Sequence, residues 1–375
     1  MRVRGAVLRA MGLPAPYARS QPLRIEQLRL DPPGPGELRV RVLAAGLCHS
    51  DLSVIDGSRP RVIPMVLGHE ASGEILEAGP GTPGFEAGDR VVFAFVPSCG
   101  SCAPCAGGRA ALCEPGAQAN VAGTLLAGAR RWHDAGNADL HHHLGVSAFA
   151  EQVVVSARSV VRVDADLDPA IAALFGCAVL TGVGAAINCA QMKLGQSLAV
   201  VGLGGVGLSA LLGGLAAGAR QIVAIDKLDA KLAVARELGA THAFRADDPD
   251  LVAQVKAATG GGVDVAVEAA STVEALMTAY QITRRGGTTV TVSLPPPNAT
   301  LNVPAVNLVV EERTLKGSFL GSAVPARDIP RFIALYKAGR LPIDRLVTHR
   351  IKLDDINHGF DRLARGEAIR QVIVF

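Results

Sequence analysis

The sequence predicts an α/β protein of two units, one β-rich and one a doubly wound parallel sheet. Three observations predict it. In the first third, short β-branched runs are separated by glycine and proline clusters. From Ser197 to Phe319, strand-like runs alternate with helix-like ones. A glycine-rich turn, Gly202-Leu-Gly-Gly-Val-Gly207, stands where the first strand of that alternation ends.

The 375 residues are too many for one compact core. Hydrophobic residues make up 49% and charged residues 19%, which is globular composition and excludes a disordered chain. The net charge is +3 with no long run of lysine or arginine, so no nucleic-acid partner is expected. Met1–Met11 is interrupted by Arg9 and lacks the apolar core of a signal peptide. Two uncharged windows, Pro169–Met192 and Leu194–Ala219, have the length of a membrane span. Glycines such as Gly202, Gly204 and Gly207 favour buried sheet and helix instead, so no membrane partner is expected. Seven cysteines, an odd count, suit metal binding better than a disulfide framework, and a cytoplasmic location is expected.

In chain order, the early strands are expected at Leu38–Leu43, Gly73–Leu76, Asp89–Phe95 and Gln152–Val155, with turns at Asp31–Gly36 and Gly79–Gly84. The parallel strands are expected at Ser197–Val201, Gln221–Asp226, His242–Arg245, Val263–Glu268, Thr288–Ser293 and Thr314–Phe319. Asp229–Leu238 reads as a helix, with Leu232 and Ala235 at helical spacing. After Ser322 come one helix, Ile329–Ala338, and a closing strand, Arg370–Phe375.

Cys99-Gly-Ser-Cys102-Ala-Pro-Cys105, followed by Cys113, offers four thiols on a short, glycine-punctuated loop. Four thiolates make a closed tetrahedral shell, which is the pattern of structural zinc. An iron–sulfur cluster also uses four thiolates. Three further donors are scattered: Cys48 in Gly-Leu-Cys-His-Ser-Asp, His69 in Gly-His-Glu, and Cys177 in Phe-Gly-Cys. A Cys₂His set leaves the fourth position open, as catalytic zinc requires. Taken alone, Cys177 also reads as a core cysteine and His69 is ambiguous. The run His141-His142-His143 is not expected to converge on one ion.

Gly202, Gly204 and Gly207 follow an apolar strand and open a helical run, so they suit a dinucleotide pyrophosphate. Asp226 ends the next strand, where a carboxylate accepts from ribose hydroxyls and repels a 2′-phosphate. NAD is therefore expected over NADP, with Lys227 pulling weakly the other way.

Six motifs occur in order along nearly the whole chain: GLCHSDL (Gly46–Leu52), GHE ending in His69 and Glu70, the four-cysteine lobe, GCAVLTG (Gly176–Gly182), GLGGVG (Gly202–Gly207) and the closing AIRQVIVF. With them the chain resembles the zinc-containing alcohol dehydrogenases of the medium-chain dehydrogenase/reductase family. The resemblance implies a GroES-like catalytic domain (1–178 and 320–375) and a Rossmann coenzyme domain (179–319). It implies two zinc ions per subunit, a catalytic one on Cys48, His69 and Cys177 and a structural one on Cys99, Cys102, Cys105 and Cys113.

The resemblance also assigns roles to single residues. Glu70 lies near the metal, Asp51 orients His69, and the Ser50 hydroxyl bonds the substrate oxygen. Lys231 touches the adenosine ribose, His49 and Arg370 the pyrophosphate, and Thr181 lies near the nicotinamide. Phe95, His143, Leu294 and Phe319 line an apolar substrate slot with one polar corner; Trp132, the only tryptophan, is expected at its mouth from its place in the long loop after the cysteine lobe. Cys189 matches no ligand position and reads as a core thiol. Where many members carry a relay histidine, this chain has Ser53.

The implied reaction is reversible hydride transfer between NAD and a primary or secondary alcohol, medium-chain or aromatic. Two alternatives stand beside it: a thiol-adduct-dependent formaldehyde dehydrogenase, and a non-catalytic zinc- and dinucleotide-binding protein. A homodimer, or a tetramer, is expected. The apolar stretch Leu301–Val310 would pair with another subunit, and Glu114–Leu140 would form a long loop.

Overall fold

The computed structural model describes residues 1–375. Its contacts divide the chain into two units. The first comprises Met1–Cys177, Val324–Arg331 and Val347–Phe375. The second comprises Ala178–Ala323 and Phe332–Leu346.

The first unit is β-rich. Arg2–Leu8, Leu23–Leu30, Trp132–His133, Asp139–His142 and Met65–Val66 close a small barrel. A seven-stranded sheet runs in the order Val160–Val163, Arg90–Phe93, Glu70–Ala78, Glu37–Gly46, Arg370–Val374, Val347–Ile351, with Gln152–Ser156 also paired to Glu37–Gly46. Most of its pairs are antiparallel, which lets one face be buried and alternate residues face outward.

The second unit is a six-stranded, all-parallel sheet. Its order is His242–Arg245, Gln221–Asp226, Ser197–Val201, Val263–Glu268, Thr283–Thr291, Thr314–Gly317. Ser197–Val201 and Val263–Glu268 lie in the middle and are buried throughout. That is why Leu198–Val201 reads as a continuous apolar run, whereas Val263–Glu268 carries two buried carboxylates, Asp264 and Glu268, that accept from Ser197 and Thr291. Val201, Ile225, Val255, Val263 and Ile282 belong to its core.

Several expectations are corrected. Residues 332–346, read with the first unit, belong to the second. The turn Ile343–Leu346 packs on the helix Gly205–Ala216, with Ile343 and Leu346 fully buried, and Arg340 and Arg345 reach the Ala216 and Glu237 carbonyls. Glu114–Leu140 is not one long loop: it holds the helix Glu114–Ala122 and the barrel strand Trp132–His133. Trp132 does not reach a pocket mouth, because it is 0% exposed inside the barrel, paired to Leu30 and Leu140. Leu301–Val310 is not an edge strand. Its second half is the short helix Ala305–Val310, on which Val306, Leu308, Val309 and Val310 are exposed. The last sheet strand ends at Gly317, and Phe319 enters a 3-10 turn. No helix is long and apolar enough to cross a membrane.

Candidate active site and dinucleotide turn

The central strand Glu37–Gly46 gathers the site. Its last residue, Gly46, lies opposite Glu70 on one side and Val372 on the other. Chain leaving Gly46 therefore carries Cys48 past the segment that holds His69 and past the start of the Arg370–Val374 strand. Cys177 arrives from a third direction, just after the helix Pro169–Leu174, which packs on the Glu37–Gly46 and Glu70–Ala78 strands. Asp168 caps that helix by accepting from the Ala170 and Ile171 amides. Gly176 lets the chain approach closely, since a Cβ there would lie 2.1 Å from the Phe93 carbonyl oxygen.

The donor atoms of Cys48, His69 and Cys177 all lie within 4.8 Å of one another. His69 Nε2 is 3.4 Å from Cys177 Sγ, and all three residues are buried. Asp51 organises the set. Its Oδ2 accepts from the Cys48 amide at 3.2 Å, and its Oδ1 lies 3.0 Å from His69 Nδ1. A carboxylate on Nδ1 makes that nitrogen the donor and leaves the Nε2 lone pair facing the thiols. Two thiols and one imidazole lone pair, drawn from three segments, fit a tetrahedral cation with one position open.

These buried groups shift one another's acidity. Burial alone would lower the His69 pKa; the charge and hydrogen bond of Asp51 outweigh it, and the net shift is well upward. Burial raises Asp51, but His69 and His143 overcome it and hold the carboxyl below its ordinary value. Cys48 is pulled well down, first by its bond with Cys177, and Cys177 is pushed well up by the same bond and by burial.

His143, from the three-histidine run, joins the cluster. Its Nδ1 lies 3.2 Å from Asp51 Oδ1, and its ring meets the His69 ring edge-on at 5.6 Å. Phe95 also meets His69 edge-on, at 5.3 Å. His142 instead points away from the thiols, is fully buried and accepts from the Arg131 amide, and burial pushes it down to about 3. The run therefore splits between two environments. Ser50 Oγ is 3.7 Å from Cys48 Sγ, while Ser53 Oγ donates to the Ser50 carbonyl at 3.0 Å.

Arg370 is 4% exposed and ion-paired to the fully buried Glu70, so it is not the surface cation its charge suggests. Burial pushes Glu70 up and Arg370 pulls against it. Arg370 Nε is buried without a partner. His49 is exposed at the start of the helix His49–Ile55.

The sulfurs of Cys99, Cys102, Cys105 and Cys113 also lie within 4.8 Å of one another. Amides point at them: Cys102 donates to Cys99 Sγ at 3.3 Å, and Cys99 and Gly116 donate to Cys113 Sγ at 3.2 and 3.4 Å. Amides from Ser101 and Cys102 lower the Cys99 thiol to about 6. Burial pushes Cys105 up to about 12. Amide-bonded, closely grouped thiols fit a closed four-thiolate cation site.

In the second unit, Gly202-Leu-Gly204-Gly-Val-Gly207 turns from the strand Ser197–Val201 into the helix Gly205–Ala216. Gly202 has φ +93°, and a Cβ on Gly207 would fall 1.8 Å from the Gly202 carbonyl oxygen. Only glycine makes this turn, and open space over Gly204 leaves room for a pyrophosphate. Asp226 accepts from the Leu203 and Leu228 amides at 2.7 and 3.0 Å, which fixes its carboxylate at the end of the second strand. Lys231 lies on the next helix, Asp229–Glu237. Thr181 is buried, whereas Leu294 and Phe319 are 48% and 43% exposed. Cys189 is buried and donates to the Gly317 carbonyl, a core thiol of this unit.

Comparison with known proteins assigns the family. Residues 34–165 match the family model described as Alcohol dehydrogenase GroES-like domain, and residues 205–338 match Zinc-binding dehydrogenase. A Mycobacterium tuberculosis protein provisionally named alcohol dehydrogenase D is 41% identical over 362 residues, 96% of this chain and 98% of the relative. This chain belongs to the zinc-containing alcohol dehydrogenases of the medium-chain dehydrogenase/reductase family.

Among solved members, benzyl alcohol dehydrogenase from Acinetobacter calcoaceticus is 30% identical with TM-score 0.93, covering 100% of this chain and 99% of that one. A zinc-binding dehydrogenase from Sinorhizobium meliloti, solved with NADP, is 25% identical with TM-score 0.80 and covers 100% of each chain. The GroES-like and Rossmann-type units, alcohol dehydrogenase activity, and the use of zinc and a nicotinamide cofactor belong to this dehydrogenase as to its family.

Sequence reasoning missed one feature of the dehydrogenase's site: the His143–Asp51 contact is invisible to spacing. The Asp51 geometry yields a test. Asp51→Asn keeps the shape but lets an amide N–H face His69 Nδ1, which favours the wrong tautomer. Affinity of the Cys48–His69–Cys177 set for zinc falls about 10- to 100-fold, measured by competition with a chromophoric chelator, while metal held by the four-cysteine lobe is retained.

Proposed function

We propose that this enzyme reversibly oxidises primary or secondary alcohols, medium-chain or aromatic, to aldehydes or ketones with NAD. The observation that carries the reading is the Cys48–His69–Cys177 donor set with Asp51 on the imidazole. It offers two thiolates, a lone pair and a vacancy. In this reading Cys48, His69 and Cys177 hold the catalytic zinc, and Cys99, Cys102, Cys105 and Cys113 hold a structural one, two per subunit.

Bound there, zinc would supply Lewis acidity toward an alcohol oxygen, and the nicotinamide would supply the hydride acceptor. The chain's own groups do the rest. Ser50, beside Cys48, bonds the substrate oxygen and passes its proton outward. Glu70 keeps Arg370 in place, and the unpartnered Arg370 Nε supports a contact to the cofactor pyrophosphate, with His49 as its exposed companion. Gly202, Gly204 and Gly207 seat the pyrophosphate, Asp226 and Lys231 hold the ribose, and Thr181 flanks the nicotinamide.

Phe95 and His143, both against His69, are read as substrate-lining, and the family resemblance adds Leu294 and Phe319. The benzyl alcohol dehydrogenase relative supports an aromatic substrate. Asp226 supports NAD, although one relative was solved with NADP. Seven unpaired cysteines suit a reducing, cytoplasmic setting. The exposed apolar residues of the helix Ala305–Val310 support a homodimer, with a tetramer as the alternative.

Three measurements test this. A panel of alcohols and aldehydes assayed with NAD and NADP, beside elemental analysis, is expected to give NAD-linked turnover and two zinc ions per chain; one or none in active protein contradicts it. Asp226→Ser removes the carboxylate's repulsion, so the kcat/KM ratio of NAD to NADP drops about tenfold or more. Ser53→His adds a group that titrates near pH 6.5, and kcat rises on the acid side of the pH profile. An unchanged acid limb refutes a proton path through that position.

A further inference from the structure

The first unit carries, beside the reaction centre, a half-buried cation with no counter-ion. We infer that the substrate supplies the counter-ion: the alcohol or aldehyde bears a carboxylate, and Arg61 binds it. This rests on the alcohol dehydrogenase reading and names the substrate class for the same site.

Arg61 is placed by local structure. After the helix His49–Ile55 the chain turns back on itself. The Arg59 amide donates to the Ser53 carbonyl at 2.8 Å, the Ser58 amide donates to Asp56 Oδ1 at 2.8 Å, and Ser58 Oγ donates to the Ser53 carbonyl at 3.3 Å. Beyond Arg61, Met65–Val66 pairs in parallel with His141–His142, and the His141 amide donates to the Pro64 carbonyl at 2.9 Å. The segment is thus tied at one end to the Ser50 helix and at the other to the strand that leads into His143. Arg61 lies close enough for its charge to disfavour protonation of His143. His143 in turn touches Asp51 and His69.

Arg61 lacks a matching charge. Its Nε is buried and has no hydrogen-bond partner. Burial and the like charge of Arg59 both act against its charged form, and no carboxylate acts for it. Comparably placed arginines are matched: Arg9 by Glu26 at 2.7 Å, Arg131 by Glu37 at 2.8 Å, and Arg370 by Glu70. A guanidinium cannot escape by losing its proton. Withdrawing it from water without an anion is costly, and an anionic ligand relieves the cost. The planar fork of N–H donors matches a carboxylate in two-point contact. An arene or short chain between the carboxylate and the alcohol carbon is the scaffold the test uses.

The test compares 4-(hydroxymethyl)benzoate with 4-methylbenzyl alcohol, which has the same ring and no charge. Wild type, Arg61→Gln and Arg61→Lys are assayed, with melting curves to verify folding. Wild type is expected to favour the carboxylate substrate by about tenfold to a hundredfold in kcat/KM. In Arg61→Gln the ratio collapses toward one through KM, and Arg61→Lys restores part of it. A wild-type ratio near one, or a ratio that Arg61→Gln leaves alone, overturns the inference while leaving the dehydrogenase reading intact. So does a rise in KM for the dinucleotide in place of the alcohol. If no form turns over either alcohol, the aromatic-substrate reading fails by itself. Arg61 is then judged by calorimetry with terephthalate: binding weakened about tenfold or more in Arg61→Gln supports the anion site, and no binding to wild type overturns it.

Discussion

The carboxylate of Asp51 is the constraint on which the rest of the site depends. It is 0% exposed, and a charge so placed survives only if it is fully used. Oδ2 accepts from the Cys48 amide, and Oδ1 faces His69 Nδ1 and His143 Nδ1. One interaction caps the helix His49–Ile55 and another sets the tautomer of His69. They are geometrically linked, because the helix starts at Cys48 and the third helical residue points back at the cap. A feature that closes a helix end thereby also aims an imidazole lone pair at two thiols. Helix start and ligand set cannot be separated in this chain.

Sheet register supplies the second constraint. Gly46 stands between Glu70 and Val372, so the Glu37–Gly46 strand fixes where Cys48 emerges relative to His69 and Arg370. A slip of one residue would turn Glu70 to the other face and break its pairing with Arg370. That pair is wholly buried and contributes little net stability after desolvation, but losing one member would strand the other charge. Its value is positional: it holds a guanidinium beside the thiols. Arg370 and Arg61 thus make a contrast within one unit. The first has an internal anion, Glu70, whereas the second has none.

Much of this was legible from sequence, for identifiable reasons. The central strand Ser197–Val201 is buried throughout, and its Leu198–Val201 part reads as an unbroken apolar run. The four-cysteine lobe is legible because its ligands are local. Cys48, His69 and Cys177 were legible only as a set of motifs, since the contact between them is a tertiary fact. Trp132–His133 escaped notice because a two-residue strand has no period to detect. Ala305–Val310 is rich in β-branched residues yet forms a helix, so local propensity was overridden by context. Residues 332–346 joined the second unit through Ile343, Leu346 and Arg345, whose contacts leave no mark on spacing. Arg61 was illegible for a deeper reason. Its significance is the lack of a partner, and a missing contact has no sequence signature.

The substitution at Ser53 shows how local bonding limits a proton path. Its hydroxyl hydrogen is committed to the Ser50 carbonyl at 3.0 Å, a bond within the helix's first turns. To pass a proton on, that hydroxyl would have to leave its bond and rotate, and its pKa gives no driving force near neutrality. His143 is not a substitute, because its Nδ1 faces the Asp51 carboxylate that already serves His69. His49 is exposed and one residue from Ser50, but it sits at the start of the helix, on the side where the chain meets solvent. In the proposed reaction a proton leaving Ser50 would therefore reach solvent without Ser53 or His143 as its carrier, while the arrangement of Cys48, His69 and Cys177 that Asp51 organises does not involve Ser53.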